Sequence, residues 1–331
     1  MKKTGLLLIL LLSIVLSGCN IEKLTEPANI DDTKEVLFTV PKGASTKRIA
    51  TLLKENELIT SEYGFKELSK DLGADGKMKA GDYMLSPSMN AETIIDKLQS
   101  GKVYVETVKV TIPEGYELKQ IITRLVEAGL GDEEVFNQLV SEKYDYKFLN
   151  DIEVSPSYLE GFLFPATYEF KKGSSEKQVI DRLLSQFNSI FKDEYYLKAY
   201  ELDMSINEIM TLASIIEREA KLDEERALIS SVFHNRLDKG RLLQSCATIQ
   251  YALGERKQRL LNVDLEIESP YNTYKYKGLP PGPIASPGEK SIIAALYPED
   301  SSYLYFRTTS KNDGSHHFSN TFEEHVAAGN K

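Results

Sequence analysis

The stretch Ser205-Ile206-Asn207-Glu208-Ile209-Met210-Thr211-Leu212-Ala213-Ser214-Ile215-Ile216-Glu217-Arg218-Glu219-Ala220 is the most informative in the chain. It opens as a capping box, in which Ser205 can accept from the backbone three residues on while Glu208 reaches back. Behind it Ile206, Ile209, Met210, Ala213, Ile216 and Ala220 recur at helical spacing, which predicts a helix with its apolar stripe in a core. At 100° per residue, Glu217 falls within about 20° of Met210 and about 40° of Ala213. Glu219 lies roughly 200° away from Glu217, towards solvent. A carboxylate on an apolar stripe is costly unless paired or kept neutral, and a neutral carboxyl is what a general acid requires. Glu217 is therefore the candidate proton donor. The alternative is a structural pair with an arginine, such as Arg236 or Arg241.

Downstream, a second helix is expected from about Glu224 to Lys239, stopping at Gly240. Residues 270–288 hold Pro270, Pro280, Pro281, Pro283 and Pro287 and read as loop, with the prolines of 280–287 stiffening one wall of a cleft. Tyr303 to Thr308 reads as a strand, Asn312-Asp313-Gly314 as a hairpin turn and His316 to Ser319 as the return. Thr321-Phe322-Glu323-Glu324 opens a last short helix.

Upstream, a strand–turn–helix unit recurs. Val40-Pro41-Lys42-Gly43 followed by Lys47, Ile49 and Leu53 matches Ile112-Pro113-Glu114-Gly115 followed by Lys119, Ile121 and Leu125, at an offset of 72. Tyr83, Leu85, Ile94, Ile95, Asp96 and Leu98 echo Tyr168, Phe170, Val179, Ile180, Asp181 and Leu183 at an offset of 85. Residues 36–103 and 108–187 thus each read as two strand–helix pairs, by duplication or by the shared preferences of such units. The expected organisation is α+β. A small strand–helix subdomain (35–104) precedes a larger mixed catalytic domain (105–331), whose central helix carries the candidate Glu.

The chain has 331 residues, 41% of them hydrophobic, enough for a real core. A formal charge of −10 argues against a protein held on nucleic-acid phosphates, so no nucleic-acid partner is expected. Trp is absent, so any stacking on a sugar falls to Tyr or Phe. Residues 1–19 read as an export signal: Lys2 and Lys3, a short apolar run from Leu6 to Leu16, then Ser17-Gly18-Cys19. The pattern resembles a bacterial lipobox, with Cys19 lipidated and holding the protein on the extracytoplasmic face of the cell membrane. The alternative is a single N-terminal transmembrane helix. Residues 20–34 are polar and read as a tether. Lipidation of Cys19 leaves Cys246 without a disulfide partner.

Several chemistries lack their signatures. Ser245 is not in a G-x-S-x-G elbow. Cys246 has no neighbouring His and reads as unreactive. His316, His317, His325 and Glu324 lack the H-E-x-x-H spacing of a zinc site, so no metal is expected. No phosphate-cradling G-x-x-x-x-G-K-[ST] occurs, and no cofactor is expected.

Residues 212–220 resemble the catalytic-glutamate helix of the MltG (YceG-like) family of endolytic murein transglycosylases. The resemblance extends to Val232-Phe233-His234-Asn235-Arg236-Leu237, Leu243-Gln244-Ser245-Cys246-Ala247-Thr248 and Ser269-Pro270-Tyr271-Asn272-Thr273-Tyr274. It continues through Gly278-Leu279-Pro280-Pro281-Gly282-Pro283-Ile284, Tyr303-Leu304-Tyr305-Phe306 and Gly314-Ser315-His316-His317-Phe318-Ser319. Upstream, Ile112-Pro113-Glu114-Gly115 and Leu159-Glu160-Gly161-Phe162-Leu163-Phe164-Pro165 also fit. The first unit resembles a LysM-like peptidoglycan-binding module, the alternative being a plain α+β packing domain.

The resemblance implies cleavage of the β-1,4 bond from N-acetylmuramic acid to N-acetylglucosamine in nascent glycan strands. The products carry 1,6-anhydro ends, and strand elongation stops. Glu217 would be catalytic, with Asn235, Gln244, Thr248, Tyr271, Asn272, Thr273, Tyr274 and His316 offered to the substrate. The resemblance also implies peptidoglycan synthases as partners. Two features depart from the family: Cys246-Ala247 stands where many members carry Asp-Pro, and the leader resembles a lipobox rather than a transmembrane anchor. A hydrolytic muramidase and a non-catalytic wall-binding lipoprotein remain the competing readings.

Overall fold

The computed structural model describes residues 22–150, 152–311 and 313–329. The signal segment and Cys19 lie outside them. The chain divides into two compact units, with the boundary between Glu106 and Thr107.

In the first unit, β1 (Val36–Val40) leads to α1 (Thr46–Glu55) and α2 (Glu62–Asp71), then β2 (Gly81–Leu85) and α3 (Ala91–Ser100). Polar side chains start each helix: Ser45, Ser61 and Asn90 each accept from a backbone N–H of the first turn. β1 and β2 pair antiparallel, Val36 opposite Leu85. The inward residues Phe38, Val40, Tyr83 and Leu85 meet Ile49, Leu53, Ile94 and Leu98 in one core. The segment expected as a tether is partly tied down: Asn29 N–H donates to Pro87 O and Thr60 Oγ1 to Leu24 O.

The second unit opens the same way. β3 (Thr107–Thr111) is followed by α4 (Leu118–Glu127) and α5 (Glu133–Leu139), then β4 (Thr167–Lys171) and α6 (Glu176–Ile190). The two sequence offsets carry the pair Val36 and Leu85 onto Val108 and Phe170, which is an observed pair of the β3–β4 ladder. The starts of α1 and α4 differ by 72 and those of α3 and α6 by 85, and Ile49 and Ile121 are both buried. Agreement of register as well as spacing supports a true internal repeat, because a slip of one residue would turn every side chain to the other face.

Beyond the repeat come α7 (Asp193–Glu201), α8 (Ile206–Glu219), α9 (Arg226–Asp238), α10 (Cys246–Leu253) and α11 (Glu289–Leu296). The hairpin β5 (Tyr305–Thr308) and β6 (His316–Ser319) and the short α12 (Phe322–Ala328) follow. The expected α+β class holds, with three two-stranded antiparallel sheets among the described residues. The strand expected from Tyr303 begins at Tyr305, and Asn312 of the expected turn lies outside the described residues.

Helix α8 is the axis of this unit. Its capping box forms as the sequence predicts. Ile209 through Ile216 are then all buried, so no azimuth of the helix faces water over two turns. Helix α11 packs along it. Most of the proline segment packs into the core; Pro281 lines a surface pocket with Pro270 and Leu279. Residues 282–287 are buried against α8, tied by Ile284 N–H to Ser214 Oγ at 3.0 Å and by Asn207 Nδ2 to Pro281 O at 2.9 Å. Gly161 meets this strap: its φ is +85°, and a Cβ there would stand 2.5 Å from the Pro283 Cβ, so only glycine fits.

Candidate active site

Three consecutive charged residues end α8, and each goes to a different place. Glu217 turns inward. Its carboxylate receives Arg226 Nη1 at 3.2 Å and Nη2 at 3.4 Å, Gly288 N–H at 3.1 Å and Ser291 Oγ at 2.8 Å. It thus joins α8 to the starts of α9 and α11. Arg218 donates to Gly115 O at 3.2 Å and faces Glu117 at 3.5 Å, anchoring the turn after β3. Burial together with the charge of Glu217 pushes the neighbouring Glu114 carboxyl up from its ordinary value.

Glu219 meets the N-terminus of α10. Ser245, the N-cap of that helix, donates its hydroxyl to Glu219 Oε1 at 2.5 Å, and Ala247 N–H reaches the same oxygen at 3.3 Å. Among the described residues nothing donates to Oε2. Glu219 lines a cavity of about 610 Å³ with Gln244, Cys246, Tyr274, Arg241 and His316. Arg236 and Arg307 add further positive charge to its wall. Arg236 is held by the carbonyls of Leu304, at 2.7 Å, and Leu243, at 2.6 Å, whereas Arg241 is exposed and bonds Tyr305 OH at 2.5 Å. Cys246 Sγ and Tyr274 OH are 3.2 Å apart. Desolvation pushes the pKa of both groups up, so both hold their protons at neutral pH.

The geometry reverses the surroundings expected of the two glutamates. Glu219 does not point into solvent, and Glu217 is not among the residues lining the cavity. Glu217 is instead a paired buried carboxylate, and its partner is Arg226 rather than Arg236 or Arg241. Helical periodicity picks out one face only where a wet face lies opposite the apolar stripe. The stretch Ile209–Ile216 holds no charged residue on any face, and that was the available signal that α8 is enclosed.

Of the residues offered to the substrate, Gln244, Tyr274 and His316 reach the cavity beside Glu219. The others do not. Asn235 donates to Ser301 O at 2.9 Å and Tyr303 O at 3.0 Å, holding the approach to β5. Asn272 is fully buried and gives its amide to Leu265 O and Ile267 O while accepting from Tyr274 N–H. Thr273 Oγ1 accepts from Ser245 N–H at 3.0 Å, and Thr248 Oγ1 lies 2.8 Å from it. Tyr271 packs on Tyr251 with ring centroids 4.8 Å apart. These polar residues build the junction that presses the start of α10 against Glu219. Gln244 shares it, with φ +51° and its N–H on Thr273 O at 3.0 Å.

Two acidic residues elsewhere brace the site. Glu160 accepts Leu118 N–H at 3.0 Å and Tyr251 OH at 3.3 Å, and burial pushes its pKa up to about 8. Glu225 accepts His316 N–H at 2.9 Å and meets His316 Nδ1 at 2.7 Å. The sequence singles out neither Glu225 nor Arg307, offers Arg241 only as a partner for Glu217, and carries Tyr305 only within a family-like motif.

Comparison with known proteins adds three findings. The model of the YceG-like family matches residues 38–331. The chain is 39% identical over 328 residues to a Bacillus subtilis protein named endolytic murein transglycosylase, covering 94% of this chain and 88% of that one. It is 32% identical to the protein of that name from Streptococcus pneumoniae D39, covering 90% of this chain and 58% of the relative. A crystal structure of a YceG-like protein from Listeria monocytogenes aligns with a TM-score of 0.58 at 38% identity, over 89% of this chain and 99% of the other.

Proposed function

Because the chain belongs to the YceG-like family, we propose that it is a peptidoglycan lytic transglycosylase that cuts nascent glycan strands internally, with Glu219 as its acid and base. The observation that carries this reading is the setting of Glu219. One carboxylate oxygen is pinned by Ser245 and Ala247, and the other is left open on a cavity wall.

Protonated Glu219 gives its proton to the oxygen of the β-1,4 bond from N-acetylmuramic acid to N-acetylglucosamine. The C1–O bond breaks and the N-acetylglucosamine side leaves as an alcohol. Positive charge develops at C1, where the sugar's own acetamide can shield it. Glu219, now a carboxylate, takes the proton of the 6-hydroxyl as that oxygen bonds C1. The product end is 1,6-anhydro-N-acetylmuramic acid, no water is consumed, and the acid is regenerated. An internal nucleophile carries a high effective concentration, so no second carboxylate is needed to activate water. Glu219 is the one carboxylate among the described residues lining the cavity. That favours this route over a hydrolytic muramidase, which uses a pair.

Arg241 and Arg307 offer cations to the carboxylates of stem peptides, which suits peptidoglycan better than an uncharged glycan. The first unit is read as a LysM-like module that holds the strand. Lipidation at Cys19 would keep the enzyme on the extracytoplasmic face of the membrane, where nascent strands and their synthases meet it. No cofactor enters the mechanism. Mass spectrometry of purified peptidoglycan digested by the protein tests the reading: anhydro-muramyl ends at internal cuts are expected. Reducing ends would point to the muramidase, and no cleavage to a wall-binding lipoprotein.

A further inference from the structure

Glu225 and His316 form a pair that the mechanism above does not use. Glu225 closes the short 3-10 turn Asp223–Glu225 ahead of α9, and His316 is the first residue of β6. One carboxylate holds both the backbone and the ring of His316, through N–H at 2.9 Å and Nδ1 at 2.7 Å. The His316 side chain is 5% exposed and that of Glu225 12%. Phe306 meets the imidazole edge-on, centroids 5.5 Å apart, which limits rotation of the ring.

An ionised carboxylate can only accept, so Nδ1 must carry a proton. In the neutral ring Nε2 then bears a lone pair. No described residue bonds Nε2, and Nε2 is not among the buried polar atoms left without a partner, so it reaches the open space of the cavity that His316 lines with Glu219. Arg241 and Arg307 give that cavity a surplus of donors. A sugar hydroxyl that accepts from an arginine still has a proton of its own to place.

Resting on the glycan-cleaving reading above, we propose that Glu225 is a positioning residue that locks His316 in its Nδ1–H tautomer, so that Nε2 accepts a hydrogen bond from a sugar hydroxyl of the bound strand. His316 is then a specificity-determining contact, and Glu225 acts only through it.

The test is Glu225→Gln in the full chain. The His316 N–H still requires an acceptor and takes the new amide oxygen. The amide NH2 is left facing Nδ1, which must now accept, and the ring proton moves to Nε2. The ring offers a donor where it had offered an acceptor. The chain has four histidines, so nitrogen-15 spectra of histidine-labelled protein are simple, and His316→Asn assigns the resonance. Spectra are recorded above the ordinary imidazole range. Wild type should show a protonated Nδ1 and a bare Nε2, and the variant should show the reverse. Its kcat/KM on polymeric glycan should fall roughly 10- to 100-fold, as expected when a buried polar partner is left mismatched. A wild-type ring protonated on Nε2 overturns the proposal even where the variant does not fold. A reversed tautomer with undiminished cleavage overturns it too. Failure of the underlying reading looks different, because wild type itself would then leave glycan strands uncut.

Discussion

Replacing Glu217 and Glu219 one at a time by Gln separates their roles along two independent axes, stability and turnover. Glu217→Gln breaks a buried ion pair with Arg226, both side chains being under 10% exposed. Breaking such a pair costs about 3–5 kcal/mol when the remaining charge has no other partner. Here Asp223 Oδ1 still meets Arg226 Nε at 3.1 Å, and the Gln oxygen can still accept from Gly288 and Ser291. The expected loss is therefore about 2–3 kcal/mol. For a domain of this size that is roughly 4–12 °C in thermal midpoint. Strand cleavage by the surviving folded fraction should stay within a few-fold of wild type. Glu219→Gln keeps an oxygen for Ser245 and Ala247 and should melt near wild type. It cannot give or take the proton, so cleavage should drop ~10²–10⁴-fold or more, since one residue serves both half-steps. The assay pairs thermal melts with quantified anhydro-muropeptides released from polymeric strands. A Glu219→Gln variant that cleaves normally, or a Glu217→Gln variant that melts normally yet is inactive, would refute the assignment.

Three more outcomes are expected. Ile49→Ala and Ile121→Ala occupy equivalent buried sites of the repeat, and each should destabilise its own unit by about 2–5 kcal/mol in denaturant titrations; a neutral effect at either would break the equivalence. Glu160, with its pKa pushed up to about 8 from 4.5, keeps a proton in the folded state that the unfolded chain has released, so its stabilisation is full below the unfolded value and is lost as pH rises through about 8. Glu160→Gln should remove that decline, and melting curves of wild type and variant that run parallel from about pH 5 to 9 would contradict it. Changing Cys19 to Ala should abolish lipid attachment and leave the leader uncut, whereas a wild-type protein that still begins at Met1 would exclude the lipoprotein reading.

Much of the fold was legible because its signals are local. Caps at Ser45, Ser205 and Thr321, and the apolar spacing behind them, act within one or two helical turns, and those helices begin where the sequence places them. The repeat was legible because two copies of one pattern cross-check each other, down to the register of the strand pairs. The site was legible in part. Glu219 at the charged end of α8 lines the cavity with Gln244, Tyr274 and His316, whereas Asn235, Thr248, Tyr271, Asn272 and Thr273 spend their side chains on neighbouring structure. Polar side chains in a family-like motif are needed as much to build a junction as to touch a ligand, and sequence does not distinguish the two uses.

By itself the sequence determined the elements, the family resemblance and the short charged run that ends α8. Which carboxylate faces the cavity was decided only by tertiary structure. Glu217 is claimed by Gly288 and Ser291, 71 and 74 residues away, and Glu219 is held by Ser245, 26 residues away. Helical periodicity says how two side chains are rotated about one axis. The neighbours on each side are brought there by packing over long sequence separations, and with α8 enclosed all round no face of the helix was marked as polar in advance.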